Sequence, residues 1–576
     1  MAPHKVLHAA QIVVKRAGSG LAQGEDDING TGVFLVSTFL VAAIFGTEGS
    51  GKMGGCSPSD ANGKHANTAP KQCRDPQLPA LKFTECPCGG IFAGLLHRTV
   101  EPDLTPKEVI AYCRENTVGA VDLRFTDFLG RWLHTTIPVS VFDESVFEKG
   151  IGFDGSSVHG WQRVDESDML LMPQPETCFL DPFLEMPTLS VICNVVDPIT
   201  LEDYGRDPRF IARKAMTWLK SSGIADTANF GPEVEFFIFD NVRFDQSRNS
   251  GFYFVDSDEG PWNRGRDPNG SGPNLGHRPD YQRGYLACPP TDQQMNLRNE
   301  IMETLIRCGI DVESHHHEVG AAGQAEIDFR YTDLVSAADN VMTYKHIVRN
   351  VAQRHGKSVT FMPKPLFDEA GSGMHTHISL WKEEQPLFAG EFYAGLSQTG
   401  IYAIGGILKH ANALLGLTNP TTNSYKRLVP GFEAPNKLAY SQRNRSAACR
   451  IPVYSSDPAS KRIEFRCPDA TCNPYLAFAA IMMAAVDGIE NKIDPGPSLD
   501  KDIYDLPPEE LENVPQTAAT LNEALMALEN DHEFLLRGDV FTRDVVKNWI
   551  QWKRSHDVEA IRSRPHPFEF CMYYDF

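Results

Sequence analysis

The run Phe230-Gly231-Pro232-Glu233-Val234-Glu235-Phe236-Phe237-Ile238-Phe239 sets two carboxylates two residues apart inside an apolar, aromatic-rich stretch. Successive side chains of a strand point to opposite faces, so Glu233 and Glu235 share one face, roughly 6–7 Å apart at ~3.3 Å per residue. The flanking aromatics imply burial. Two buried anions on one face repel each other and require compensating cations. The alternative is an exposed edge strand whose acids are solvated.

Three further runs carry the same signature. In Ser314-His315-His316-His317-Glu318, His316 and Glu318 share one face while His315 and His317 take the other. Gly320, Ala321, Ala322 and Gly323 then suit a turn that returns Glu326 beside Glu318. The run Gly371-Ser372-Gly373-Met374-His375-Thr376-His377-Ile378-Ser379 puts His375, His377 and Ser379 on one face, and Arg462-Ile463-Glu464-Phe465-Arg466 aligns Arg462, Glu464 and Arg466. A lone His in such a run is more often a satisfied core residue than a ligand, but the recurrence across four runs changes that balance. Together they offer Glu233, Glu235, Glu318, Glu326, Glu464 and His375, a hard, oxygen-rich donor set that suits Mg²⁺ or Mn²⁺ better than structural zinc. Two such cations would balance the acids and leave positions for phosphate oxygens.

Basic residues gather later, at Lys426, Arg427, Arg443, Arg445, Arg450, Lys461, Arg462 and Arg466, in a chain whose net charge is −21. The planar guanidinium fork matches phosphate and carboxylate. Surface ion pairing is the alternative, and it suffices for Arg443 alone. Cations, arginines and a polyphosphate together point to phosphoryl transfer from a nucleotide.

The rest of the chain frames these runs. The 576 residues hold 54 Lys plus Arg against 75 Asp plus Glu, which argues against a nucleic-acid binder. Length suggests roughly three to five domain-sized units, or fewer large ones. An apolar share of 41% with 22% charged residues is globular composition, and 13 Cys are too sparse for a disulfide scaffold. No apolar run is long enough for a membrane-spanning helix. Residues 1–104 are rich in Gly, Ser and Asn and read as an irregular extension. Within it, Val33–Phe45 has the length of a secretory h-region, but acidic Glu25, Asp26 and Asp27 precede it. Gly46-Thr47-Glu48-Gly49-Ser50-Gly51-Lys52-Met53 misses a P-loop because Met53 replaces the hydroxyl residue. Cys56, Cys73, Cys86 and Cys88 match no common zinc spacing.

From Thr105 the pattern sharpens. Thr105, Pro106 and Glu108 make a helix start. Strands are expected at Val118–Phe125, Arg131–Val139, Met169–Met172 and Leu189–Val196, giving a small α+β domain that ends between Asp197 and Asp207. Helices are expected over 333–355, capped by Asp333, and from Asn473-Pro474 to Gly488. Leu521, Leu525 and Leu528 mark another amphipathic helix.

These strings resemble type I glutamine synthetase, the bacterial-type family that joins ammonia to glutamate at the expense of ATP. The resemblance spans Thr105 to Phe576. It rests on Phe153-Asp154-Gly155-Ser156-Ser157, Glu166-Ser167-Asp168, Gly231-Pro232-Glu233-Val234-Glu235, His315–Glu318, Gly323–Glu326, Lys364-Pro365, Gly371–His375, Asn419–Arg427, Gly431-Phe432-Glu433-Ala434-Pro435, Asn444-Arg445-Ser446 and Glu464-Phe465-Arg466. It implies an α+β fold: a β-grasp-like domain at 105–204, and a catalytic domain at 205–576 with a curved antiparallel sheet and flanking helices. It implies one cation on Glu235, Glu318 and Glu326 and another on Glu233, His375 and Glu464. Arg445, Arg450 and Arg462 would hold ATP phosphates, with Arg445 also catalytic. Arg427 and Arg466 would engage glutamate carboxylates and the transferred phosphoryl group. Glu313, Tyr331, His377 and Ser379 match nucleotide-contacting positions, and His316 and Gly371 lie on the glutamate side.

The same resemblance places ammonium among Asp154, Ser157, Tyr285, Glu318 and Glu433. A carboxylate both attracts the cation and can accept its proton, so Asp154 is the base. Glu433 would sit on a flap that keeps water from the acyl phosphate. Asp154 would come from the neighbouring subunit of a dodecamer of two six-membered rings, in the cytoplasm. Tyr504 resembles the tyrosine that an adenylyltransferase modifies. Ala370 stands where the family usually has Asn, and the stretch from Pro452 to Glu464 is one residue longer than usual. Competing readings are an amine ligase acting on polyamines, a catalytically inactive relative, and a P-loop or zinc module within 1–104.

Overall fold

The computed structural model describes residues 104–161, 167–267, 272–432, 434–501 and 514–576. The segment 1–103, with its P-loop-like string and its four cysteines, lies outside the described residues, as do Glu166, Glu433 and Tyr504.

The helix Pro106–Glu115 starts where its signals place it. The Thr105 hydroxyl accepts the Glu108 N–H, and the Glu108 carboxylate accepts the Thr105 N–H at 2.7 Å, so two orphan donors are satisfied reciprocally. Six strands follow: β1 Ala120–Thr126, β2 Trp132–Pro138, β3 Ile151–Asp154, β4 Asp168–Pro173, β5 Phe179–Leu180 and β6 Thr188–Val196. They form one sheet in the order β2-β1-β6-β4-β3, with β5 on β6. The central pair, β1 and β6, runs parallel and is buried along its whole length.

The second sheet has ten strands. In chain order they are β7 Thr227–Phe239, β10 Val312–His317, β11 Gln324–Phe329, β12 Thr332–Asp333, β13 Ser358–Thr360, β14 Met374–Lys382, β15 Gln385–Pro386, β16 Lys437–Ser441, β17 Ala447–Arg450 and β18 Ile463–Phe465. A separate hairpin, β8 Asn241–Gln246 with β9 Gly251–Asp256, lies between β7 and β10. The sheet runs β10-β11-β7-β14-β18-β17-β16. It is antiparallel save for the parallel pair β16–β17.

Alternation along β7 divides its residues between two environments. Phe230, Val234, Phe236 and Ile238 join the core, where Phe230 stacks on Phe478 at 4.9 Å and the Tyr344 hydroxyl donates to Val234 O. Glu233 and Glu235 turn to the opposite face. The core side is covered by the helices Leu334–Arg354, Gln398–Thr418 and Pro474–Glu490. Asp333 caps the first as expected, accepting from Val335 N and Ser336 N. The third is buried from Pro474 to Gly488, as its all-round apolar sequence requires.

The third helix also ends differently from expectation, running two residues beyond Gly488 to Glu490. Gly488 instead lets helix cross helix. A Cβ there would sit 2.2 Å from Tyr402 O, and one on Gly406 would sit 2.0 Å from Ala484 O. Substituting Gly406 with Ala is expected to destabilise the fold by about 3 kcal/mol through overpacking, read as a lowered unfolding midpoint.

Buried polar groups tie the first sheet to the helices that cover the second. Arg124 of β1 donates to Asp122 at 2.7 Å and to Asp181 at 2.6 Å, and Asp181 meets His346 at 3.0 Å. Arg209 donates to Asp339 and to Asn194 of β6, while the Tyr475 hydroxyl donates to Asp339. Such pairs are costly to break singly because the survivor is left charged and dry.

Candidate active site

Register brings the polar faces together. Glu326 of β11 pairs with Glu235 of β7 on one side and with His316 of β10 on the other. Glu233 of β7 pairs with Asp328 of β11 and with His375 of β14. His377 pairs with Glu464 of β18, which pairs in turn with Arg450 of β17. Acids, imidazoles and guanidiniums thus come from strands far apart in sequence to one face.

A cavity of about 410 Å³ opens on that face. Five of the six expected cation ligands, Glu233, Glu235, Glu318, Glu326 and His375, stand in its lining with His377, and the sixth, Glu464, lies fully buried beneath, within 4.8 Å of donor atoms of Glu233 and His377. His316, Gly371 and Tyr285 also line it, with Arg427, Arg445, Arg450, Arg462 and Arg466.

Among the described residues, three groups each bring their donor atoms within 4.8 Å of one another: Glu233, Glu326 and His375; Glu233, His377 and Glu464; and His316, Glu318 and Glu326. The grouping differs from that implied by the resemblance. Glu464 stands with His377, its direct cross-strand neighbour, and Glu235 joins none of these triads among the described residues. Its carboxylate accepts instead from Gln324 Nε2 at 3.1 Å and Gly373 N at 3.0 Å.

The hydrogen bonds fix the imidazoles. Arg462 Nε donates to His377 Nδ1 at 3.0 Å, so Nε2 carries the hydrogen that reaches Glu233 at 2.8 Å. Arg427 donates to His375 Nε2 at 3.3 Å, leaving Nδ1 to donate to Glu233 at 3.2 Å. Burial and then the Arg466 charge push His375 down to about 4, so it is neutral near pH 7, the form that ligates a cation. Glu233 is held well below the carboxylate range: burial would raise it, but the His377 and His375 contacts outweigh that.

The other acids move the opposite way. Burial, and then the neighbouring Glu235 charge, lift Glu318 to about 7. Burial, and then Asp328 and Glu233, also lift Glu326 well above the ordinary carboxylate range. Carboxyls that resist ionising together, beside a neutral imidazole, are the donor set that divalent cations satisfy. The residues therefore fit Mg²⁺ or Mn²⁺.

The guanidiniums are braced from behind. Arg466 pairs with Glu464 and donates to Arg445 O at 2.9 Å, and Arg450 bonds Glu464 at 2.5 Å and the Tyr454 hydroxyl at 2.6 Å. Arg427 donates to Cys467 O at 2.8 Å. Gly371 and Gly373 make room for it, since a Cβ on either would meet its side chain at 2.7 and 2.4 Å.

Other expected residues lie elsewhere. Asp154 and Ser157 are exposed and outside the lining, with Asp154 accepting from Ser156 and Ser157 hydroxyls at 2.7 and 2.8 Å. Those bonds lower its pKa. Glu313 on β10 and Tyr331 between β11 and β12 are exposed, and Ser379 on β14 accepts from Trp381 Nε1 at 3.0 Å. Sequence reading missed Gln324, Asp328 and Tyr454 in the lining. The first two stand two residues either side of Glu326, so once the turn returns Glu326 to a strand, alternation places them on its face. Tyr454 carries no such signal.

A curled sheet joined to a smaller mixed sheet, its polar face bearing clustered acids, imidazoles and guanidiniums, has the donor groups to hold cations and anionic ligands, as an enzyme site does. The glutamine synthetase catalytic-domain model matches residues 205–573, and the glutamine synthetase beta-Grasp-domain model matches 117–198. Glutamine synthetase from Aquifex aeolicus strain VF5 is 57% identical over 474 residues, covering 82% of this chain and 100% of that protein. Glutamine synthetase from Microchaete diplosiphon is 55% identical over 471 residues, covering 82% and 99%. The cryo-EM structure of Plasmodium falciparum glutamine synthetase superposes with a TM-score of 0.75 at 30% identity, covering 82% of this chain and 99% of that one. The chain belongs to the glutamine synthetase family, in its type I branch.

Proposed function

We propose that the chain ligates ammonia to L-glutamate, using ATP and passing through γ-glutamyl phosphate, to give glutamine, ADP and phosphate. The observation that carries this reading is one cavity that joins the acid-imidazole triads to five arginines. Glu233, Glu235, Glu318, Glu326, His375 and Glu464 would hold two Mg²⁺ or Mn²⁺ ions, with His377 close enough to share in the second position. Bound there, the ions supply neutralisation of the phosphate charge.

Arg445, Arg450 and Arg462 face the ATP phosphates. Glu313, Tyr331, His377 and Ser379 serve the nucleotide. Arg427 and Arg466, with His316 and Gly371, take the glutamate carboxylates, and Arg466 also meets the migrating phosphoryl group. The γ-carboxylate attacks the γ-phosphate and ADP leaves. Ammonium then sits among Asp154, Ser157, Tyr285, Glu318 and Glu433 and gives a proton to Asp154. The resulting ammonia attacks the acyl carbon, and phosphate departs. Glu433 covers the acyl phosphate against water.

The exposed position of Asp154, outside its own chain's cavity, supports its delivery to a neighbouring subunit. A dodecamer of two hexameric rings, a cytoplasmic setting and adenylylation of Tyr504 by an adenylyltransferase complete the proposal. No helix among the described residues is long and apolar enough to cross a membrane.

The test is phosphate release by the full-length enzyme with Mg²⁺ or Mn²⁺. Release is expected only with ATP, glutamate and ammonium together. Release that is indifferent to ammonium, or equally fast with putrescine or ethanolamine in its place, would overturn the assignment.

A further inference from the structure

Behind the cavity wall, the side chains of Glu259 and His317 are both 0% exposed. His317 Nδ1 lies 2.6 Å from the main-chain oxygen of Glu318. A carbonyl only accepts, so Nδ1 carries the hydrogen and donates it. The opposite nitrogen, Nε2, faces Glu259 Oε2 at 3.3 Å as an ion pair, in which both ring nitrogens carry a hydrogen, and neither of these two atoms has a hydrogen-bond partner among the described residues. The second carboxylate oxygen, Oε1, accepts the Gln293 N–H at 2.5 Å. One buried carboxylate therefore anchors one imidazole, and that imidazole anchors the backbone of Glu318.

The same backbone carries the strip that holds Tyr285. Leu286 N–H donates to His317 O, and Gly284 N–H donates to Val319 O, each at 3.0 Å. Between them the Tyr285 ring stands edge-on to His316, with centroids 5.5 Å apart. Gly284 permits the approach, because a Cβ there would meet Glu318 O at 2.4 Å and His317 Cε1 at 2.5 Å.

We propose that Glu259 and His317 are a positioning pair for the ammonium side of the cavity, setting Glu318 and Tyr285 through the backbone they share. This rests on the assignment of Glu318 and Tyr285 to ammonium under the proposed function. Neither Glu259 nor His317 lines the cavity. Without the carboxylate, the His317 ring loses its fixed orientation, and Glu318 and Tyr285 lose their common reference. Displacements near 1 Å at a reacting centre cost on the order of 10²-fold in rate.

Steady-state phosphate release by the full-length Glu259→Gln and Glu259→Ala enzymes, with ammonium and ATP varied separately, tests the pair. The KM for ammonium is expected to rise about tenfold, with the KM for ATP within about twofold of wild type. Mn²⁺ titration of the substrate-free enzyme should show one class of ion weakened by about tenfold. Parallel rises in both KM values, or kinetics and Mn²⁺ binding like wild type, would overturn the pair. Should Glu259→Ala not fold, Glu259→Gln decides alone, because its amide oxygen still accepts from Gln293. A wild-type enzyme unresponsive to ammonium would overturn the proposed function. An active wild type with unchanged Glu259→Gln kinetics would overturn the positioning pair only.

Discussion

Glu233→Gln will lower kcat/KM for phosphate release by about 10³-fold, because electrostatic groups aimed at transferring phosphates are commonly worth ~10²–10³ each. Glu233 belongs to two of the three donor groups and receives the N–H of both His375 and His377. An amide keeps the shape but removes the charge that orients both imidazoles and attracts the cations. The two rings would then be free to turn their hydrogens elsewhere. Mn²⁺ titration should lose stoichiometry as well as affinity. A Glu233→Gln enzyme with wild-type turnover would mean that the triads do not serve catalysis.

Arg466→Ala will reduce kcat by about 10³-fold with little change in the KM for ATP, the pattern of a guanidinium whose contact strengthens as phosphoryl charge moves. Arg466 stands 6% exposed between Glu464 and Arg445 O, so its fork is already aimed. Burial alone would raise the Glu464 carboxyl, but the Arg466 charge, and to a lesser degree His377 and Arg450, hold it to about 2. A carboxylate held low lends stability at neutral pH that is lost as pH falls through its folded value. Arg466→Ala therefore also weakens the fold, and the acid limb of its unfolding curve should flatten relative to wild type. Arg466→Lys should keep part of that stability and restore little turnover, since an ammonium cannot reproduce the fork. A KM for ATP that rises while kcat holds would assign Arg466 to ground-state binding instead.

Local rules made much of the molecule legible from its sequence. The Thr105–Glu108 capping box, the Asp333 cap and the Asn473-Pro474 start are short-range devices, and each helix begins where they say. Period-two spacing picked out the strands that carry Glu233, Glu235, Glu326, His375, His377 and Glu464, because alternation fixes the face a side chain takes. Alternation cannot say which side chain on the next strand stands opposite. That depends on how far each loop lets one strand slide past another, and it is settled by packing over the whole sheet. Hence the pairing of Glu464 with His377, the hydrogen bonds that Glu235 accepts from Gln324 and Gly373, and the tie from Glu259 to His317 emerged only from the folded chain. Gly488 makes the same point for helices. A glycine near a helix end reads as a stop, yet here the helix continues because another helix must pass within backbone contact. Sequence determined which residues could meet, through periodicity and capping; tertiary structure decided which of them do, because register and crossing are set by long-range packing.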